Sequence, residues 1–234
     1  MNLRYIAAVC VAFCLATVAH AATVITFEES PNGLTAMVNA PGTVVPLASQ
    51  LTNQYLASSG VSFTSLAGYA ALVNHGVGNP TASIPNIIGG TTADGRLDYD
   101  AAITISFFDI ANTSVKAVTD SFKIQGDWVP LGSGQVFATA FDADGNPLAS
   151  TSDTDNKVFG VSGPVLQFSI AGIHSVVISG DNGTVGFDQL EYGTLLAVPE
   201  PGTWALLAVG LALCWVSRIA GHRQQRTKAA AINR

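Results

Sequence analysis

Apolar positions along the chain fall into three regimes. A nearly uninterrupted apolar run covers residues 6–18, and a second run of mostly apolar residues covers 204–216. Between them, apolar residues come in short bursts separated by Gly, Asn, Asp and Ser. The bursts at 24–27, 61–65, 69–73, 102–108, 122–125, 136–141, 165–170, 175–179 and 185–192 are rich in β-branched and aromatic residues. Ile103, Ile105 and Phe107 alternate with polar residues, the period of a half-buried strand. Asn32-Gly33, Asp144-Gly145 and Asn182-Gly183 punctuate the bursts, and no stretch between 24 and 197 carries a helical period. Many short strands at intervals of roughly ten residues predict an all-β fold, an antiparallel sandwich or jelly roll.

The clearest local unit spans 136–152. Phe137, Thr139 and Phe141 alternate with small residues, and Asp142-Ala143-Asp144-Gly145-Asn146 supplies turn chemistry, which predicts a β-hairpin. The Asp-x-Asp-Gly sequence is superficially that of a calcium loop. An EF-hand, however, needs a Glu at position 12, where this chain has Asp153, and flanking helices. Turn chemistry is the reading adopted.

The two terminal runs read as addresses. At the amino end Arg4 precedes the apolar run, and Ala19-His20-Ala21 follows it, the order of a secretory signal cleaved between Ala21 and Ala22. A run this short does not span a bilayer, which needs about 20 residues. Neither Cys10 after Val9 nor Cys14 after Phe13 suits a lipoprotein signal. At the other end, a transmembrane helix over 203–217 rises about 22 Å, less than the roughly 30 Å hydrocarbon core, and makes a marginal anchor. Arg218, Arg223, Arg226, Lys228 and Arg234 follow it and hold the tail in the cytoplasm, leaving the chain before it outside.

Val198-Pro199-Glu200-Pro201, an apolar helix with a central Gly210 and then basic residues together resemble the PEP-CTERM sorting signal of Gram-negative bacteria that make extracellular polysaccharide. The resemblance covers 198–234. It implies a membrane protease-transpeptidase, exosortase, as partner, with cleavage near the motif and delivery to the cell surface or extracellular matrix. The two prolines keep the motif extended, a shape a protease cleft can grip. Family tails usually stop soon after a tight arginine cluster, whereas here the basic residues are spread and 227–234 run on. An ordinary uncut anchor is the alternative.

Composition then divides the same way. The whole chain carries a formal charge of −6 and only 11% charged residues. Residues 22–198, however, hold 15 acidic side chains against four basic ones, Arg96, Lys116, Lys123 and Lys157, a net −11. Such a surface disfavours nucleic acid, which demands a positive patch. Cys10, Cys14 and Cys214 all lie in the terminal segments, so the exported domain at 22–197 has no disulfide.

Candidate chemistry is sparse. The domain has two histidines, His75 and His174, and no Gly-x-Ser-x-Gly elbow, so neither a nucleophilic triad nor a zinc site is well supplied. Glycoside hydrolysis needs paired carboxylates. Glutamates are limited to Glu28, Glu29 and Glu191, and the tight acidic pair is Asp98-Tyr99-Asp100, either a sugar or cation site or a polar loop. Trp128, in the predicted loop 126–132, is either a stacking platform for sugar or a buried ring. The opening strand 25–29 and the closing strand 186–192 look like those of secreted jelly-roll modules, many of them carbohydrate-binding. That looser resemblance implies paired terminal strands and a structural calcium on Glu28 and Asp188, against which stands a reading as exposed strand-end carboxylates. The expectation is an exported, non-enzymatic structural or binding protein of the exopolysaccharide layer. The rival readings are a carbohydrate-binding module with structural calcium and a glycoside hydrolase.

Overall fold

The computed structural model describes residues 22–29, 31–76, 83, 85–128, 134–154, 163–181, 185–198 and 209. The chain forms two compact units, one ending at Ala197 and one beginning at Val198. The expected signal peptide, the motif prolines, nearly all of the helix at 203–217 and the basic tail lie outside the described residues; Val209 is helical. Among the described residues, no helix is long and apolar enough to cross a membrane.

The first half of the domain runs through β1 (Thr23–Ile25), β2 (Met37–Val38), β3 (Gln50–Leu51), a single helical turn α1 (Leu56–Ser59), β4 (Val61–Thr64), β5 (Ala70–Asn74), β6 (Asn86–Thr91) and β7 (Leu97–Asp98). The second half adds β8 (Ile103–Phe107), β9 (Ala117–Val118), β10 (Phe122–Trp128), β11 (Gln135–Phe141), β12 (Pro147–Thr154), β13 (Val165–Phe168), β14 (Ser175–Gly180), β15 (Val185–Tyr192) and β16 (Leu196–Ala197). The larger sheet has the order β13-β10-β15-β6-β5-β2, with β1 on β15, β3 on β5 and β7 on β6. The second sheet has the order β12-β11-β14-β8-β4, and β9 pairs with β16. All pairings are antiparallel except the short β2–β5 contact.

The core follows from alternation. In β8, Ile103, Ile105 and Phe107 point inward while Thr104 and Ser106 do not, and Val136, Ala138 and Ala140 repeat this in β11. These meet Ile88, Ile124, Leu166 and Leu190 from the larger sheet, so the two sheets share one apolar layer, the arrangement of a β-sandwich. A smaller second core lies on the opposite side of β5 and β6, where Val73 and Ile87 pack with Val45, Leu97 and Tyr99.

That second core explains the strand absent from the sequence-based expectation. The apolar bursts of the sequence skip residues 86–91, yet β6 is buried along its whole length. Ile88 faces one core and Ile87 the other, so no polar face remains to mark a period of two. Its glycines admit neighbours: a Cβ on Gly89 would lie 2.7 Å from Leu97, and one on Gly90 would lie 2.0 Å from the Ala101 carbonyl oxygen.

Candidate functional site

The two carboxylates assigned to the terminal strands meet. β1 pairs with β15 through Thr23–Tyr192, Val24–Glu191 and Ile25–Leu190, which brings the chain just after β1 alongside Asp188. Both strands leave regular geometry there. Phe27, immediately before Glu28, has φ 62°, and Gln189, immediately after Asp188, has φ 37°. Gln189 is also the residue skipped where the β10–β15 register shifts, with Ile124 opposite Leu190 and Gln125 opposite Asp188. A bulge of this kind re-aims the neighbouring side chain, and Asp188 is fully buried.

Ser83 ties the acids together. Its hydroxyl lies 2.8 Å from Asp188 Oδ1, 3.2 Å from Glu28 Oε1 and 2.7 Å from the Thr26 carbonyl. A hydroxyl has one proton, so three oxygens crowd around a single donor. Backbone amides supply further donors: Ser83 N to Asp188 Oδ2, Gln189 N to Asp188 Oδ1 and Asn86 N to Glu28 Oε1. Asn86 Nδ2 donates to the Phe27 carbonyl. Burial pushes the Asp188 carboxyl up to about 6, with the charge of Glu28 acting in the same direction against the bonds from Ser83 and Gln189. Among the described residues, the ion pairs are Arg96–Asp94 and Lys123–Glu191, so no basic side chain is paired with this cluster. The donor set is oxygen only, carboxylates and carbonyls, which fits a hard cation such as calcium. Among the described residues, no three His, Cys, Asp or Glu side chains converge, so carbonyl or hydroxyl oxygens would have to complete the shell.

An open cavity of about 550 Å³ lies on the β1 side, lined in part by Ile25, Phe27, Glu29 and Tyr55. Tyr55 donates its hydroxyl to the Glu29 carbonyl at 2.7 Å, and burial, with Glu29 and Glu28 nearby, pushes its phenol up to about 12.

The other sequence candidates are dispersed. Tyr99, between the two aspartates, is buried in the second core and donates to Asn39 Oδ1 at 2.9 Å. Asp98 Oδ1 accepts from the Asp100 amide at 3.0 Å, a local turn, and Asp100 is exposed. Trp128 closes strand β10 opposite Val185, where a loop was expected, because β15 continues the ladder past Gln125. His174 is buried, with Nδ1 2.9 Å from the Ala117 carbonyl and its ring edge-on to Phe108. In the β11–β12 turn, Asp142 Oδ1 accepts from the Asp144 and Asn146 amides and Oδ2 from Asn146 Nδ2. Those bonds, the Asn146 side chain first, hold the Asp142 carboxyl below its ordinary value. The aspartate that a calcium loop would use is thus spent on the turn itself. Ser83 was missed in the sequence because nothing local marks a serine whose partners lie far away in the chain.

Residues 197–219 match the PEP-CTERM protein-sorting motif. The tail is therefore a sorting signal, beginning where the sandwich ends. None of the curated proteins matches the sequence. Among solved structures, the active domain of tailspike protein 4 from bacteriophage CBA120 is 11% identical over 63% of this chain, with a TM-score of 0.31; the match spans 20% of that protein. A DUF4465 family protein from Bacteroides caccae is 14% identical over 76% of this chain and 100% of its own, with a TM-score of 0.35. The CBM22-1 xylan-binding domain of Xyn10C from Paenibacillus barcinonensis is 15% identical over 76% of this chain and 95% of its own, with a TM-score of 0.31.

Proposed function

We propose that this is an exported β-sandwich protein, processed by an exosortase-type membrane protease and retained as a non-enzymatic structural or binding component of the exopolysaccharide layer of a Gram-negative bacterium. The observation that carries this reading is the sorting motif at 197–219, directly following a domain whose strands end at Ala197. The terminal patterns support it: a cleavable export signal at one end, and a short apolar segment backed by Arg218, Arg223 and Arg226 at the other. Membrane anchoring is then a transient stage before release to the surface. Intact-mass analysis of the surface-exposed protein tests the proposal. The expected species begins at Ala22 and lacks the basic tail; a surface species intact through Arg234 overturns it.

The crowding around Ser83 favours a second element, a structural calcium held by Glu28 and Asp188 with help from the Thr26 or Phe27 carbonyls. Its contribution would be to neutralise two carboxylates and fasten β1 to β15. The complete burial of Asp188 suits that role better than a general acid facing substrate.

A further inference from the structure

The five-stranded sheet turns one face to the core and the other outward, and among the described residues the outward rows of its strands carry no charged side chain. Reading across the strands in register, one row is Ser150, Thr139, Val177, Thr104 and Thr64. The adjacent rows are Pro147, Phe141, Ser175, Ser106 and the buried Ser62 on one side and Ser152, Phe137 and Ser179 on the other. No carboxylate or ammonium group occupies these rows, on a domain of net −11. The ladders from β11 through β14 and β8 to β4 run in unbroken register, which gives a regular pleated surface. Phe137, in a flanking row on β11 next to the edge strand, is 40% exposed. Phe141 is half-buried on the same strand, about 14 Å away at 3.4 Å per residue.

We propose that this face is a platform for an uncharged polysaccharide chain, with the Phe137 ring stacked on a sugar and the surrounding Ser and Thr hydroxyls paired with sugar hydroxyls. The inference deepens the reading of the protein as a component of the polysaccharide layer and rests on it. The chemistry of the face selects the occupant. Hydroxyl side chains both donate and accept, matching a polymer whose surface is hydroxyl groups and C–H faces. They are short, so fixing them costs little rotamer entropy, and Thr139 and Ser150 are already joined at 3.0 Å. An acidic polysaccharide would be repelled by the surrounding negative domain. A second copy would have to cover two sets of hydroxyls with few apolar side chains between them, since Phe137, Phe141, Pro147 and Val177 are the apolar members of these rows.

Affinity electrophoresis of the full chain in a polyoxyethylene detergent tests this, with gels containing hydroxyethyl cellulose, dextran, mannan or, as the acidic polymer, alginate. The expected result is retardation by at least one neutral polymer and none by alginate. Phe137→Ala weakens it by about tenfold, Thr139→Lys abolishes it and Lys123→Ala, on the other sheet, leaves it unchanged. Ser150→Lys, at the exposed edge strand, repeats the test if Thr139→Lys melts early. No retardation by any neutral polymer overturns the proposal, as do retardation by alginate, equal retardation of the Lys variants, or a dimer that Thr139→Lys dissociates. Because binding is read on unprocessed protein, its failure alongside normal tail removal sinks only this platform. Binding by a chain that cells never process sinks the sorting proposal instead.

Discussion

Asp188 accepts hydrogen bonds at both carboxylate oxygens and is still held near pKa 6, because burial outweighs the donors and Glu28 adds its charge. The folded chain therefore binds this proton more tightly than the unfolded one, whose aspartate titrates near 3.9. The stabilisation is fully present below pH ~4 and is lost as pH rises through about 6, an effect of roughly 3 kcal/mol for two pKa units. Melting temperature in chelator is expected to fall between pH 4.5 and 7 and to recover at pH 7 with about 1 mM calcium. Asp188→Asn should flatten that slope whatever its own stability. Thermal melts across pH check both, and a calcium-indifferent curve would remove the metal from the proposal. Glycine contacts give a second expectation at this scale. Gly90→Ala places a methyl group against the Ala101 carbonyl and is expected to cost about 3 kcal/mol in urea unfolding.

Among the elements, the β11–β12 hairpin closes over a short turn, whose glycine, Gly145, has φ +86° with open space around the position of a Cβ. Gly145→Ala should therefore cost only the left-handed backbone penalty, about 1 kcal/mol, well below Gly90→Ala. Strands with one wet face, β8, β11 and β14 among them, were legible in the sequence, because alternation survives where water meets one side. β6 was not, since both its faces are dry and two glycines imitate a turn. The two-residue strands β2, β3, β7, β9 and β16 carry too few residues for any period and exist through their partners. The acidic pair was partly legible. Glu28 and Asp188 could be placed on terminal strands, but the bulge at Gln189 that turns Asp188 inward, and the distant Ser83, are products of tertiary pairing.

For the whole molecule, the division of labour is between an acidic sandwich and a basic tail. The last paired residue, Ala197, stands two positions before Pro199 in the chain. Replacing Pro199 and Pro201 with alanine removes two ring-fixed φ angles and is expected to leave most of the chain carrying its tail, visible as the heavier species in intact-mass spectra.

The same ending determines how the protein carries tension. If the proposed processing joins the domain to a surface by its carboxyl end, a pull reaches the two-residue ladder of β16 on β9 first. The load then reaches β15, which lies inside the larger sheet between β10 and β6 and is also gripped by β1. Pulling lengthwise on an interior strand must shear many backbone bonds together rather than peel them one by one. The short clip thus yields a small extension, and the sandwich behind it resists as a unit.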